Sequence, residues 1–268
     1  MAKIDVALPY WGDPELFKKT VDSVMAQSEF DWRLLVFDDG YPSNEAEEYC
    51  KKLNDNRIIY NRNPENLGIT KNFNHALKSV GAEYCVIMGC DDIMLPNYIE
   101  TALKNIGQAD FYQPNVDVIN STDKTYLPMV DLIKKLLRPK KAGIYGGERL
   151  AASLSHGNWL YFPSIMWRSK TIKQYGFNDK YKIAEDVVLE FSIIKNGGKL
   201  HVDNATTFLY RRFADSLSSR EKSKGGIRFG EEDEVYEHFA NEFKKIGWNK
   251  AARAAKLRIT SRLHRLLS

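Results

Sequence analysis

The sequence predicts an α/β fold around a mostly parallel sheet. Short β-branched or aromatic runs alternate with amphipathic helical patterns through the first hundred residues, and each run closes on polar or turn-forming residues. With 43% hydrophobic and 28% charged residues, the chain has material for one sizeable core. No internal repeat or low-complexity segment interrupts the pattern.

Strands are expected over 3–8, 32–37, 57–61 and 83–88. Between them Pro14, whose fixed φ suits a first helical position, opens a helix to about Gln27. Ser43 or Asn44 caps a second helix towards Leu53 and Thr70 a third towards Val80, since their side-chain oxygens can accept first-turn N–H groups. After Pro96 a helix runs towards Asn105, and Phe111 to Ile119 reads as a strand. The stretch 121–160 lacks a clear period and holds Pro128, Pro139, Gly143, Gly146 and Gly147, so it reads as a mobile, partly helical insertion. Strand character returns from Phe162 to Trp167. Ala184 to Lys195 reads as a helix, and Leu200 to Val202 and Thr206 to Tyr210 as two short strands.

The apolar run from Tyr84 to Cys90 falls far short of the roughly 20 residues a membrane-spanning helix needs. No stretch near the N-terminus resembles a signal peptide, so a cytoplasmic protein is expected. Cys50, Cys85 and Cys90 have no metal or redox spacing and read as small buried hydrophobes. Of 39 Lys and Arg, eight fall in 244–268 without an Asp or Glu, leaving 31 against 35 acidic residues over 1–243. That balance disfavours a nucleic-acid-binding surface.

In open α/β sheets ligands bind beyond the carboxyl ends of the strands, where the loops Pro9 to Asp13, Asp38-Asp39-Gly40 and Gly89 to Asp92 would converge. A carboxylate at Asp39 can accept from ring N–H or ribose hydroxyl groups, although Asp-Asp-Gly is equally a capped turn. Asp91-Asp92 repel each other in a low dielectric unless a cation or strong donors relieve them. A divalent ion shared with a diphosphate would do so, as would helix capping ahead of Pro96. Glu185-Asp186 opens a helix, where acids are favoured in any protein. It also places Asp186 where a general base for an acceptor hydroxyl could stand.

Together these loops resemble the inverting family-2 glycosyltransferases of GT-A fold, in order and spacing. The resemblance rests on Leu8-Pro9-Tyr10-Trp11, Ser23 to Ser28, Val36 to Gly40, Asn66-Leu67-Gly68-Ile69 through Asn72 and Asn74, and Gly81 to Tyr84 leading to Cys90-Asp91-Asp92, Leu95 and Pro96. It continues with Gly176 to Asp179, Ala184-Glu185-Asp186 and Tyr210-Arg211, and covers residues 3–218.

The resemblance implies a Rossmann-like, mostly parallel sheet flanked by helices, with a C-terminal helical extension. Residues 1–220 would form the catalytic domain, 1–105 its nucleotide-sugar half and 106–220 its acceptor half, with 221–268 the helical, basic extension. Pro9, Tyr10 and Trp11 would frame the nucleobase and Asp39 contact it. Asn66, Gly68, Lys71 and Cys90 would line the donor pocket. Asp91 and Asp92 would hold Mn²⁺ or Mg²⁺, Asp91 also facing the donor, and Arg211 or Arg212 would steady the leaving diphosphate. Asp186, with Glu185 beside it, takes the place of the catalytic base. UDP is the expected nucleotide, ahead of dTDP and GDP, and a glycan or lipid-linked saccharide of cell-envelope polysaccharide assembly the expected acceptor. The family's acidic motif is often D-x-D-D, whereas here its first position is Gly89. Where many members have a histidine after Tyr-Arg, this chain has Phe213.

As a helix, the tail aligns Ala252, Ala255, Ile259, Leu263 and Leu266 on one side, with Lys250, Arg253, Arg258, Arg262 and Arg265 mostly opposite. Such a face suits either an anionic membrane surface, reached through 250–268 at the inner side of the cell membrane, or packing on the catalytic domain or a second copy in a homo-oligomer. Two rival functions are a sugar nucleotidyltransferase, whose glycine-rich phosphate loop is absent, and a non-catalytic nucleotide-sugar-binding module.

Overall fold

The computed structural model describes residues 2–213 and 227–258. The first half alternates as expected: β1 (Ile4–Tyr10), α1 (Pro14–Met25), β2 (Trp32–Asp38), α2 (Glu45–Leu53), β3 (Ile58–Arg62), α3 (Ile69–Ser79) and β4 (Tyr84–Ile87). It continues with β5 (Ile93–Met94), α4 (Tyr98–Asn105), β6 (Phe111–Ile119), α5 (Met129–Leu137), β7 (Gly143–Gly146) and α6 (Gly147–His156). Next come a 3₁₀ turn (Phe162–Ser164), β8 (Met166–Arg168), α7 (Ser169–Tyr175), α8 (Glu185–Lys195), β9 (Lys199–Arg211), α9 (Ile227–Lys245) and α10 (Asn249–Leu257).

All nine strands join one sheet in the order β3-β2-β1-β4-β8-β6-β9-β5, with β7 also on β9. The long ladders, β3 to β4 and β6 with β9, are parallel. The short strands β5, β7 and β8 run antiparallel to their neighbours.

Side chains alternate across β1. Ile4, Val6 and Leu8 meet Phe17, Val21 and Val24 of α1 on one face, while Ala7 joins Ala76 and Leu77 of α3 on the other. The second face continues through α6, α7 and α8 to α9 and α10, where Phe191 packs edge-on against Phe239 and Phe243 at 5.1 and 5.4 Å.

Several details differ from the sequence reading. Gly68, not Thr70, precedes the first turn of α3; the Thr70 hydroxyl instead donates to the Tyr181 carbonyl at 3.2 Å. The stretch 121–160, read as a partly helical insertion, contains α5, β7 and α6, with β7 paired to β9. Phe162 to Trp167 begins with a 3₁₀ turn, and the two short strands after Lys199 form one strand, its irregular register against β6 falling at Gln113 to Val116.

At the C-terminus Ala251, Ala252, Ala254 and Ala255 are buried, small enough for α10 to approach α9 and α6 closely. The helix ends where Arg258 turns left-handed, at φ 44°. Within the described residues the tail's apolar stripe, Ala252 and Ala255, therefore faces protein; Ile259, Leu263 and Leu266 lie outside them. Among the described residues no helix is long and apolar enough to cross a membrane.

Candidate functional site

Parallel β1, β2 and β4 end side by side, so the loops after them meet; the Asp39 N–H donates to the Tyr10 carbonyl at 3.0 Å. Tyr10 is buried against Phe17 and Tyr41, while Trp11 is 50% exposed with its ring edge-on to Tyr41. The two acids of Asp38-Asp39-Gly40 play different parts. Buried Asp38 accepts from the Tyr41 N–H and the Tyr60 hydroxyl, so it closes its own turn.

Asp39 ties down the next loop. Its Oδ1 accepts from Asn63 Nδ2 at 2.8 Å and the Leu67 N–H at 2.9 Å, and its Oδ2 from the Gly68 N–H at 2.9 Å. The approach is so close that a Cβ on Gly40, whose φ is +75°, would stand 3.1 Å from the Glu65 carbonyl carbon. Asn66 accepts from the Gly68 N–H at 3.0 Å, and Lys71 is exposed on the first turn of α3. Asn74, further along α3, accepts from the Phe177 N–H and donates to its carbonyl, joining the two halves of the chain.

Asp91 and Asp92 sit on a loop held from both sides. From α1, Thr20 donates to the Asp92 carbonyl at 2.8 Å, and just past that helix Gln27 bridges the Leu95 carbonyl and the Ile99 N–H. From β9, the Arg211 N–H donates to Asp92 Oδ1 at 2.8 Å and Arg211 Nε to the Asp91 carbonyl at 2.7 Å. The rest of the Arg211 guanidinium goes to the Asn120 carbonyl and an ion pair with Asp123 at 2.6 Å. Arg211, expected to face a diphosphate, is thus fully buried and turned inward, where it positions the carboxylates. Arg212 reaches Asp131 Oδ1 at 2.9 Å and lies against the Tyr210 ring.

Burial raises the pKa of both carboxyls. Asp91 is pushed up to about 6, with Arg211 opposing, and Asp92 is pushed well above the usual carboxylate range by burial, to which Asp91 adds repulsion. Asp92 Oδ2 is buried without a partner. A Cβ at Gly89 would stand 2.6 Å from that oxygen and 3.1 Å from Asp91 Oδ1, so the two carboxylates converge over a bare backbone. This cradle, with one orphaned oxygen, suits a hard divalent ion that takes its remaining ligands from phosphate and water. Among the described residues no cluster of three His, Cys, Asp or Glu could hold a metal unaided. Cys90 lies against Gly12, and burial beside Asp91 and Asp92 pushes its thiol up to about 12, so it lines the site as an inert neutral group.

Glu185 and Asp186 form the first turn of α8. Glu185 is buried, its Oε2 has no partner, and burial followed by the charge of Asp186 pushes it up to about 8. The preceding loop is held from α9: Glu231 accepts from the Lys182 and Ile183 N–H groups at 3.0 and 2.9 Å, and Glu234 from the Tyr181 hydroxyl at 3.1 Å.

The sequence reading missed a polar group beside this turn. Asp131 of α5 accepts from the Tyr161 hydroxyl at 2.8 Å as well as from Arg212, and its Oδ2 is buried and unpartnered. Lys134 donates to the Leu160 carbonyl at 2.7 Å. Burial, then Arg212, lowers its pKa to about 8 against the pull of Asp131, Asp186 and Glu190. Fully buried Glu190 accepts from Asn158 at 2.8 Å, and burial together with Asp186 raises its pKa. A cavity of about 310 Å³ opens between β6 and α5, lined by Asp131, Lys134, Trp159 and Tyr161 among others. Two cues were present: Asp131 is the one acid in an apolar run, and Glu190 falls one turn beyond Asp186.

Residues 5–170, more than half of the chain, match glycosyl transferase family 2. An uncharacterized glycosyltransferase of Methanocaldococcus jannaschii, MJ1057, is 24% identical over 211 residues, 78% of this chain and 70% of its own length. Three other curated relatives match over shorter stretches, between 37% and 44% of this chain and between 14% and 36% of their own length. Among solved structures, S. aureus TarS 1–349 in complex with UDP-GlcNAc superposes with a TM-score of 0.64 at 15% identity, covering 90% of this chain and 73% of that one. The mannosyltransferase PcManGT of Pyrobaculum calidifontis, in complex with GDP-Man and Mn²⁺, superposes with a TM-score of 0.64 at 13% identity, covering 98% and 75%. The sheet order, the strand-end loops and this match agree: the chain belongs to glycosyl transferase family 2 and has the GT-A fold.

Proposed function

We propose that this protein transfers a sugar from a nucleoside-diphosphate sugar, a UDP-sugar first, to a hydroxyl of a glycan or lipid-linked saccharide, inverting the anomeric centre. One observation carries the reading: two carboxylates, Asp91 half-buried and Asp92 buried with an orphaned oxygen, converge at the end of β4 beside the loops of β1 and β2. Family membership and the UDP-GlcNAc complex of TarS support it. On this reading residues 1–105 bind the donor, 106–220 the acceptor, and 221–268 form a helical extension.

Trp11, half-exposed at the rim, offers a face for the nucleobase beside Pro9 and Tyr10. Asp39, already accepting three N–H groups, presents the 66–68 loop to the nucleotide and keeps a lone pair for a base N–H. Asp91 and Asp92 would hold Mn²⁺ or Mg²⁺, which when bound neutralises the departing diphosphate. Arg212 supplies further positive charge from the acceptor side. Asp186 takes the proton from the attacking hydroxyl. Glu185, pushed up to about 8 by burial and then by Asp186, competes less with that base as a negative charge near pH 7.

The test is incubation with UDP-, dTDP- and GDP-sugars, scoring nucleoside diphosphate release with and without Mn²⁺ and the product's anomeric configuration. Binding without release would mark a non-catalytic module. Pyrophosphate release from a sugar phosphate and a nucleoside triphosphate would mark a nucleotidyltransferase.

Two variants probe the supports. Gly89→Ala places its methyl inside contact distance of Asp92 Oδ2 and should lower transfer by about 10²-fold, the scale of a misplaced reacting group, with a folded chain by circular dichroism. Glu231→Ala removes both acceptors from the 182–183 backbone. Transfer should fall about tenfold in kcat with an unchanged donor KM, because the loop before Asp186 loosens while the donor pocket stays built.

A further inference from the structure

Helix α5 is mounted with its polar face inward. Asp131, Lys134 and Arg138 follow one another at helical spacing and face the protein: Asp131 is 1% exposed, Lys134 donates to the Leu160 carbonyl, and Arg138 at the C-cap donates to the Asp203 carbonyl. The opposite face carries Met129, Leu132 and Leu136, spaced three and four apart and exposed by 66, 37 and 66%, with Leu127 at 52% just before them. In water the hydrophobic effect favours the reverse orientation. Five of the twelve large exposed hydrophobics of the described residues fall within 126–136, so they form a patch rather than a scatter.

The charges around the patch indicate what covers it. Between Tyr126 and Lys141 the one acid, Asp131, points inward, and the exposed charges are Lys135, Lys140 and Lys141. A twofold pairing of two copies would bring these lysines against each other, at an electrostatic cost. An anionic bilayer surface accepts both parts, the apolar side chains below the headgroups and the lysines among them.

We propose that α5 and the following lysines dock this protein on an anionic membrane surface. This contact lies on 126–141; of the tail's apolar stripe the described Ala252 and Ala255 face protein, and 259–268 lie outside the described residues. Docking does not depend on the transfer reading. Its consequence for substrate does: the cavity lined by Asp131, Lys134 and Tyr161 lies under the same helix, so a saccharide carried on a lipid could enter it from the membrane.

The test is flotation of the full chain with vesicles of phosphatidylcholine, with and without phosphatidylglycerol. The chain should bind the anionic vesicles, and more weakly as salt rises. Met129→Ser/Leu132→Ser/Leu136→Ser should lower the partition coefficient by about tenfold or more while the chain stays folded, because Met129 and Leu136 are largely in water already and Leu132 is partly so. Lys140→Glu/Lys141→Glu should also weaken binding and keeps the test decisive if the serine variant misfolds. Docking is overturned if the wild type ignores anionic vesicles, or if both variants bind as the wild type does, which would give the contact to another segment. A wild-type dimer split by the serine variant would overturn it in favour of self-association. Each readout is binding or mass, so failure of the transfer reading leaves it intact.

Discussion

Replacing Asp186 by asparagine is expected to lower transfer by about 10²–10⁴-fold, the range a positioned general base supplies. The amide keeps the shape of the side chain and can still accept the Val187 N–H that Asp186 Oδ1 accepts at 2.7 Å, so the first turn of α8 should persist. Donor affinity should hardly change, because the groups proposed for the nucleotide sit on other loops, after β1, β2, β3 and β4. Initial rates with saturating donor, together with calorimetric titration of the nucleotide sugar, measure both. Near-wild-type transfer in this variant would move the base elsewhere, and Glu190, buried one turn on, would be the next residue to replace.

Asp92→Asn separates function from stability. Asparagine retains Oδ1 for the Arg211 N–H but replaces the orphaned oxygen with an amide nitrogen, which repels a cation. Transfer should fall by about 10²-fold or more, the scale of removing one charge-stabilising group. Without metal, the same change should make the fold less sensitive to pH. A carboxyl whose folded pKa is raised binds its proton more tightly folded than unfolded, so its contribution is complete below about pH 4 and is lost as pH rises through the folded value. For Asp91 that value is about 6, and Asp92 is raised as well, so the metal-free wild type should melt at progressively lower temperature as pH rises from about 4 through about 6. The variant should show a shallower decline. Added Mn²⁺ should raise the melting temperature of the wild type above that pH and leave the variant unmoved. Equal Mn²⁺ shifts in both proteins would remove Asp92 from the metal site.

Much of the architecture was legible in the chain. β1 to β4 and α1 to α3 were readable because alternation in strands and 3.6-residue periodicity in helices are local signals, and Pro14 marks a helix start unaided. Boundaries drifted where tertiary contacts overrode them. Thr70 looks like a cap, yet its hydroxyl serves Tyr181, 111 residues away. β5 is two residues long and exists only through its pairing with β9, so no period announced it.

The family resemblance, and with it the GT-A fold, came from the order of loops along the chain, because a parallel sheet brings successive strand-end loops to one edge whatever lies between. Which atoms meet there could not be read locally. The Arg211 N–H and Asp92 are bonded across 119 residues, and the Arg211 guanidinium is turned to the Asp91 and Asn120 carbonyls and to Asp123, partners that no local pattern announces. Likewise the residues of α5 lie in the stretch read only as a partly helical insertion, and helical spacing says which of them share a face but not which face turns inward. Packing decided that, by giving Asp131 and Lys134 partners on distant segments and leaving Met129, Leu132 and Leu136 uncovered.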